Sequence, residues 1–292
     1  MTMWSSAELD LGSYLSRIGY EGDRAPTLAS LRSLHRGHVL SMGWHNLASY
    51  LYGEAPLDLP SLQAKMITGR GGGYCYEHVT LFAALLEAFG YRFFAVQGRV
   101  VMGAPADKLL PETHAMLVVE SEDGRRWLCD VGFGMSMLEP MELVEGPEGV
   151  EVRQDSGTYW LRHQEVTPGA RGWALLQPAT DPDTDREGNG WMVRHTTTLT
   201  PQYPVDFRTA NHYIATSPHS PFTNRLFAQR MRLDRMHVLD GLKHSTFRHH
   251  TGQPPETREL APQEVPGVLA EVFGIELSEQ EAKLLVDRLS ER

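Results

Sequence analysis

The chain has 292 residues, 41% hydrophobic and 22% charged, and a formal net charge of −10. That length and balance describe a folded chain with room for one large core or two to three smaller ones, not a disordered one. Acidity without a Lys/Arg run argues against a nucleic-acid partner, which needs a basic face.

Met1–Leu15 lacks the basic-then-apolar layout of a signal peptide, and the apolar stretch Leu81–Leu86 falls far short of a membrane span. Two cysteines, Cys75 and Cys129, cannot build a disulfide framework, and their spacing is not that of a zinc site. The expected location is the cytoplasm, with no metal and no membrane partner.

In chain order, Leu9, Leu11, Tyr14, Leu15 and Ile18 recur at helical spacing until Gly19 stops the run. Leu28–Met42 repeats the pattern with Leu31, Leu34, His35, His38 and Val39, and Leu59–Ile67 is a shorter helix candidate around Pro60. Gly71, Gly72 and Gly73 lead through Tyr74 to Cys75, after which Val79, Phe82, Leu85, Leu86 and Phe89 form one helical stripe ended by Gly90. Residues 1–90 therefore read as an all-helical unit with Cys75 at the start of its buried helix.

From Tyr91 the period changes to two. Arg92–Met102, His114–Glu120 and Arg126–Val131 are strand candidates, the last two joined by an Asp123-Gly124 turn. Val150–Arg153, Thr158–His163, Gly172–Gln177 and Trp191–Leu199 extend an antiparallel sheet or barrel, interrupted by a surface loop over Asp181–Gly190. Helix returns at Pro262–Phe273 and at Ser278–Leu289, where Ser278 and Glu281 have capping-box spacing. The class is α+β: residues 1–90 helical, 91–200 strand-rich, 201–292 mixed.

A nucleophilic cysteine needs thiolate character, a base within reach and donors for the developing oxyanion. A helix N-terminus offers partial positive charge and free N–H groups at Cys75, and the preceding glycines let backbone approach a substrate carbonyl. His114 starts one strand candidate and Asp130 ends the next, so pairing across Asp123-Gly124 would put both at one open end. There the carboxylate could orient the imidazole toward Cys75, as in other Cys-His-acid triads. Cys129, inside a strand and without a glycine loop, reads as a packed thiol.

The glycine run into Cys75-Tyr76-Glu77, then Thr113-His114, then Asp130-Val131-Gly132-Phe133-Gly134, together resemble the arylamine N-acetyltransferase family. Tyr203–Phe207, Asn211–Tyr213, Ser220–Phe222 and Phe273–Ile275 extend the resemblance over nearly the whole chain. The resemblance implies a helical bundle (1–90), a β-barrel (91–200) and an α/β lid (201–292), the first two forming a cysteine-protease-like core. It implies acetyl-CoA as acyl donor, an aryl amine as acceptor, Cys75 as nucleophile, His114 as base and Asp130 as its orienter. By the same carry-over Phe133 lines the acceptor pocket between Gly132 and Gly134, Phe222 is a further lining residue, and Glu77 supports the site.

Three positions depart from the family pattern. The family arginine four residues before the cysteine is Gly71 here, with Arg70 one place earlier; the asparagine four residues after it is Val79; and Pro-Phe-Glu-Asn-Leu becomes Gly43-Trp44-His45-Asn46-Leu47. If that arginine pairs with that glutamate, both partners have changed together, so Arg70 and His45 are expected in a rearranged support shell. The altered shell also fits a sister activity, an amide synthase that closes a macrolactam on a chain delivered by an acyl carrier protein. Such a partner would dock on basic side chains, for which Arg225, Arg230, Arg232, Arg235, Lys243 and Arg248 are the candidates. A hydrolase would use the same triad with water as acceptor.

Overall fold

The computed structural model describes residues 2–105, 108–146, 148–179, 184–185 and 188–291. The expected loop at Asp181–Gly190 lies partly outside them. Side-chain caps open the first helices: Asp10 accepts from the Ser13 N–H at α1 (Leu11–Ile18), and Thr27 from the Ser30 N–H at α2 (Leu28–Ser41). Gly19, at φ 65°, ends α1 in the left-handed region that suits glycine.

Next come β1 (Gly43–His45), α3 (Leu47–Tyr52), α4 (Leu59–Leu62), β2 (Gly72–Gly73) and α5 (Cys75–Phe89). The helix expected over Leu59–Ile67 is an ordinary helix only to Leu62 and continues as a wider π turn over Gln63–Thr68.

α5 is buried almost all round. Leu81, Phe82, Leu85 and Leu86 pack with Tyr14, Leu31 and Leu34, and with Ala115, Leu117 and Val119 of β4 (His114–Glu120). Each such side chain contributes roughly 1.5–3 kcal/mol by leaving water. The alternate residues of β4, Met116 and Val118, face a second core with Val96, Leu128, Leu161 and Leu175. β4 is thus buried on both faces, with the helices on one side and the barrel interior on the other.

That barrel is one antiparallel path of β6 (Met141–Glu142), β5 (Arg126–Cys129), β4, β3 (Arg92–Val100), β10 (Trp191–Thr197), β9 (Ala170–Pro178), β8 (Gly157–Thr167) and β7 (Val150–Gln154). A further short strand, β11 (Pro201–Gln202), pairs β3 beside β10. The path nearly closes. Gln154, ending β7, accepts from the Leu138 and Glu139 N–H groups and donates to the Glu139 carbonyl, tying that edge to the chain leading into β6.

α6 (Pro204–Thr216) and α7 (Pro221–Asn224) lead to a second sheet of β12 (Phe227–Met231), β13 (Arg235–Asp240), β14 (Lys243–Arg248) and β15 (Glu256–Glu259). The helix expected at Pro262–Phe273 is built of three pieces: a 3-10 turn, α8 (Val265–Val268) and a π turn over Leu269–Phe273. α9 (Glu279–Ser290) starts from the Ser278–Glu281 capping box.

The first 90 residues are not all helical. β1 pairs antiparallel with β12 (Trp44↔Gln229, His45↔Ala228) and parallel with β2 (Gly43↔Gly72), so the second sheet is completed by N-terminal residues. Strands of two and three residues, one of them Gly-Gly, carry no alternating pattern for a sequence to display. Among the described residues no helix is long and apolar enough to cross a membrane.

Candidate active site

Cys75 is the first residue of α5 and is 4% exposed. Glu77 fixes the helix start, its Oε2 accepting from the Tyr74 N–H at 3.0 Å while its Oε1 meets Lys65 Nζ at 2.6 Å. The glycines before Cys75 serve the protein's own packing. A Cβ on Gly72 would lie 1.7 Å from the Gly43 carbonyl oxygen, and one on Gly73 2.6 Å from Glu77 Oε2. These glycines therefore let β2 lie against β1 and Glu77 turn back on the helix start.

Pairing of β4 with β5 (Leu117↔Cys129 through Glu120↔Arg126) brings His114 and Asp130 to one end of the hairpin. His114 Nε2 and Asp130 Oδ1 are 3.0 Å apart, and both side chains are buried. With Nε2 donating to the carboxylate, His114 keeps its other ring nitrogen for a second partner, and Cys75 lies near enough to favour the imidazolium. Cys75 Sγ also lies 3.6 Å from the Thr113 carbonyl oxygen. Burial by itself disfavours the His114 cation, but the charge and hydrogen bond of Asp130 and the contact with Cys75 outweigh it and raise its pKa to about 9. Burial pushes the Asp130 carboxyl up; the His114 charge and hydrogen bonds from two imidazoles bring it well below the usual carboxylate range.

The second imidazole is His195, which sequence reasoning missed. Its Nε2 lies 3.0 Å from Asp130 Oδ2, so each carboxylate oxygen has its own histidine. A β-bulge puts it there. Val193 pairs with Leu176 and His195 with Leu175, leaving Arg194 as the extra residue. Neighbours on a regular strand point to opposite faces, yet Arg194 and His195 both meet the Phe133 ring, at 4.2 Å (guanidinium carbon to ring centre) and 5.4 Å between ring centroids. Phe133 is also edge-on to His114 at 5.0 Å, so it packs against the back of the histidine pair. Arg194, 1% exposed, donates from Nη2 to the Met135 carbonyl at 2.6 Å.

Gly132 lies directly on the thiol residue: a Cβ there would be 2.8 Å from Cys75 Cα. Gly134, at φ +90°, passes so close to Gln229 that a Cβ would be 2.3 Å from its Oε1. Phe222, half-buried, packs edge-on against Trp44 and Tyr74 at 5.5 Å. Arg70 and His45, both expected in a rearranged support shell, sit in different surroundings. Arg70 is exposed, with its carbonyl accepting from Arg17, whereas Lys65 on the π turn reaches Glu77. His45 is buried and held neutral by burial and by the charges of Lys65 and His78; its Nδ1 accepts from the Leu47 N–H at 3.4 Å. The wider turn moves the cation five residues back along the chain, a displacement that helical periodicity does not reveal.

Cys129 is buried, and burial with the neighbouring Asp130 charge drives its thiol far up. His114, Asp130 and His195 are the one group among the described residues whose donor atoms lie close enough to share a metal, all within 4.8 Å. Those atoms already satisfy one another by hydrogen bonds, which is chemistry for orienting an imidazole. A cleft of about 490 Å³ beside Trp4, Leu59, Arg208 and Asn211 lies away from this group.

A family model described as N-acetyltransferase matches residues 27–282. The chain is 31% identical to the arylamine N-acetyltransferase of Mycolicibacterium smegmatis, over 97% of this chain and 98% of that protein. It superposes with a TM-score of 0.91 on the arylamine N-acetyltransferase from Mycobacterium abscessus, at 47% identity, covering 99% of this chain and 98% of that one. Against the Mycobacterium marinum arylamine N-acetyltransferase in complex with CoA the TM-score is 0.84 at 30% identity, covering 97% and 99%.

Proposed function

The chain belongs to the arylamine N-acetyltransferase family, and on that premise we propose that it transfers an acetyl group from acetyl-CoA to the nitrogen of an aryl amine through a thioester on Cys75. The observation that carries this reading is the line Cys75–His114–Asp130, in which a buried imidazole is bonded to the carboxylate and lies within the influence of the thiol. His114 takes the thiol proton, Sγ attacks the thioester carbonyl, and the oxyanion faces the positive N-terminal end of α5 at Cys75 and Tyr76. The intermediate collapses, and the departing CoA sulfur carries away the proton held by His114. In the second half the amine attacks the acetyl-Cys75 carbonyl. His114 accepts the amine proton and returns it to Sγ as the amide leaves.

The helical unit and the barrel then form the catalytic core, and residues 201–292 serve as a lid. The sheet pairing of β12 with β1 supports this, because it sets Gln229 and Trp44 over Gly134. A cytoplasmic location is proposed from the two free cysteines, both buried. Delivery by a carrier protein is less well supported, since Arg225, Arg235 and Arg248 are paired with Asp240, Asp234 and Glu256.

Intact-protein mass spectrometry tests the reading. Acetyl-CoA should add one acetyl group to the wild type and none to Cys75→Ala, and an aryl amine should remove it. Selective alkylation of Cys75 without any acetyl adduct would instead direct attention to a carrier-borne donor and amide synthase activity.

A further inference from the structure

We propose that Arg194 is a positioning residue that decides which of the two histidines on Asp130 carries positive charge, keeping His195 neutral so that the imidazolium forms on His114, beside the thiol. The inference rests on the reading of Cys75 as nucleophile and His114 as base.

Seen from the carboxylate, the two histidines are equivalent. Each places Nε2 3.0 Å from one oxygen of Asp130, and each is buried. A carboxylate flanked in this way could stabilise a cation on either ring, and only one of them touches Cys75. What distinguishes them is the far side of each ring. His114 has Cys75 within its influence, whereas His195 Nδ1 is buried without an acceptor for a second proton. The bulge then sets Arg194 next to His195, with both against the same face-packed Phe133.

Among the described residues, Arg194 has no carboxylate in hydrogen-bond contact. Nη2 bonds the Met135 carbonyl, the guanidinium stacks on Phe133, and Tyr159 lies on its other side. Its charge therefore acts through the low-dielectric interior on Asp130, toward which it is attracted, and on His195, which it opposes as a second cation. The groups facing His195 are Asp130 and Phe133 from the loop after β5, His114 from β4 and Arg194 from its own strand. On α2, His35 lies within the field of Asp130, and Tyr159 of β8 faces Arg194. The titration tendencies agree with the geometry. Burial first, then the His114 and Arg194 charges, hold His195 to about 4 despite Asp130, while His114 is raised to about 9.

The test is histidine 15N NMR on the full chain across pH 5 to 9, together with the pH profile of Cys75 alkylation by iodoacetamide. In the wild type, His195 should stay neutral with its proton on Nε2 and His114 should be an imidazolium at neutral pH. Arg194→Met should raise the His195 pKa by at least about one unit and move the acid limb of alkylation up with it, about tenfold slower at fixed pH on that limb. Arg194→Lys, which keeps the charge, should restore both readouts, whereas a purely structural role would lower activity without moving the limb. A charged His195 in the wild type at pH 7, or an unmoved His195 in Arg194→Met, overturns the proposal. If Arg194→Met does not fold, Arg194→Gln, also neutral, takes its place, and an unmoved His195 in that variant overturns the proposal as well. Failure of the nucleophile reading would appear separately, as acetyl transfer by Cys75→Ala with these spectra unchanged.

Discussion

The indole N–H of Trp44 donates to the carbonyl of Gly132 at 2.6 Å, joining the strand that completes the C-terminal sheet to the loop lying on Cys75. Trp44→Phe keeps the aromatic volume and strands a buried carbonyl. Stability should fall by about 1–3 kcal/mol. A urea midpoint shift at constant slope measures this, and an unchanged midpoint would mean the bond is replaced by water.

Gly132→Ala puts a Cβ 2.8 Å from Cys75 Cα and 3.0 Å from the Cys75 carbonyl oxygen. Backbone cannot swing aside as a flexible side chain can, so the loop or the start of α5 must move. The expected result is a loss of about 1–3 kcal/mol together with a slower acylation step. Thermal melts and single-turnover acylation measure the two; near-normal acylation would show that the loop has slack.

Lys65→Met removes the cation that, among the described residues, meets Glu77, a carboxylate just 1% exposed, and should destabilise the protein by about 3–5 kcal/mol. Arg70→Ala, at an exposed side chain, should stay within about 0.5 kcal/mol of wild type. Equal losses in the two variants would restore Arg70 to the support shell.

His195→Leu takes the donor from one oxygen of Asp130 while leaving the His114 bond in place. Loss of a hydrogen bond to a charged group, about 1.5–3 kcal/mol, corresponds to a drop of roughly tenfold to a hundredfold in kcat/KM with the fold retained. Unchanged kinetics would reduce His195 to barrel packing.

Stability should peak near neutral pH. His35, His78 and His195 are depressed to about 4, so between pH 6.5 and 4 the unfolded chain binds protons that the folded one refuses, and stability falls as pH drops. Each contributes a loss of roughly 3 kcal/mol at most by that linkage. His114 works in the opposite sense. Raised to about 9, it contributes stability that is complete below its unfolded pKa near 6.5 and is lost as pH rises toward 9. Urea unfolding from pH 4 to 9 should trace this dome, and a curve flat below pH 6.5 would count against neutral buried histidines.

Much of the frame was legible in the chain. The apolar stripe to Phe89 reads as a buried helix headed by Cys75 and Asp123-Gly124 as a hairpin turn that brings His114 and Asp130 to one end, while the family resemblance joins Cys75 to them. Periodicity and turn chemistry are local signals, and those three residues sit at the ends of elements that local signals define well. Lys65 and Arg70 illustrate the limit. Which cation meets Glu77 depends on a π turn in which the hydrogen-bond ladder shifts by one residue, and the side chains of Gln63–Thr68 read as ordinary helix.

His195 and Arg194 mark the same boundary from the other side. The sequence by itself determined that a strand starts at Trp191, read there as running to Leu199, that Cys75 heads a buried helix and that a carboxylate and an imidazole end neighbouring strands. Only the tertiary structure decided that Asp130 has two histidines, that a guanidinium is buried behind them, and that Gly43–His45 leaves the helical unit to join β12. A bulge is a mismatch of register between two strands, and a three-residue strand exists only through its partners. Neither property belongs to any single stretch of chain, so both appear only when distant segments pair.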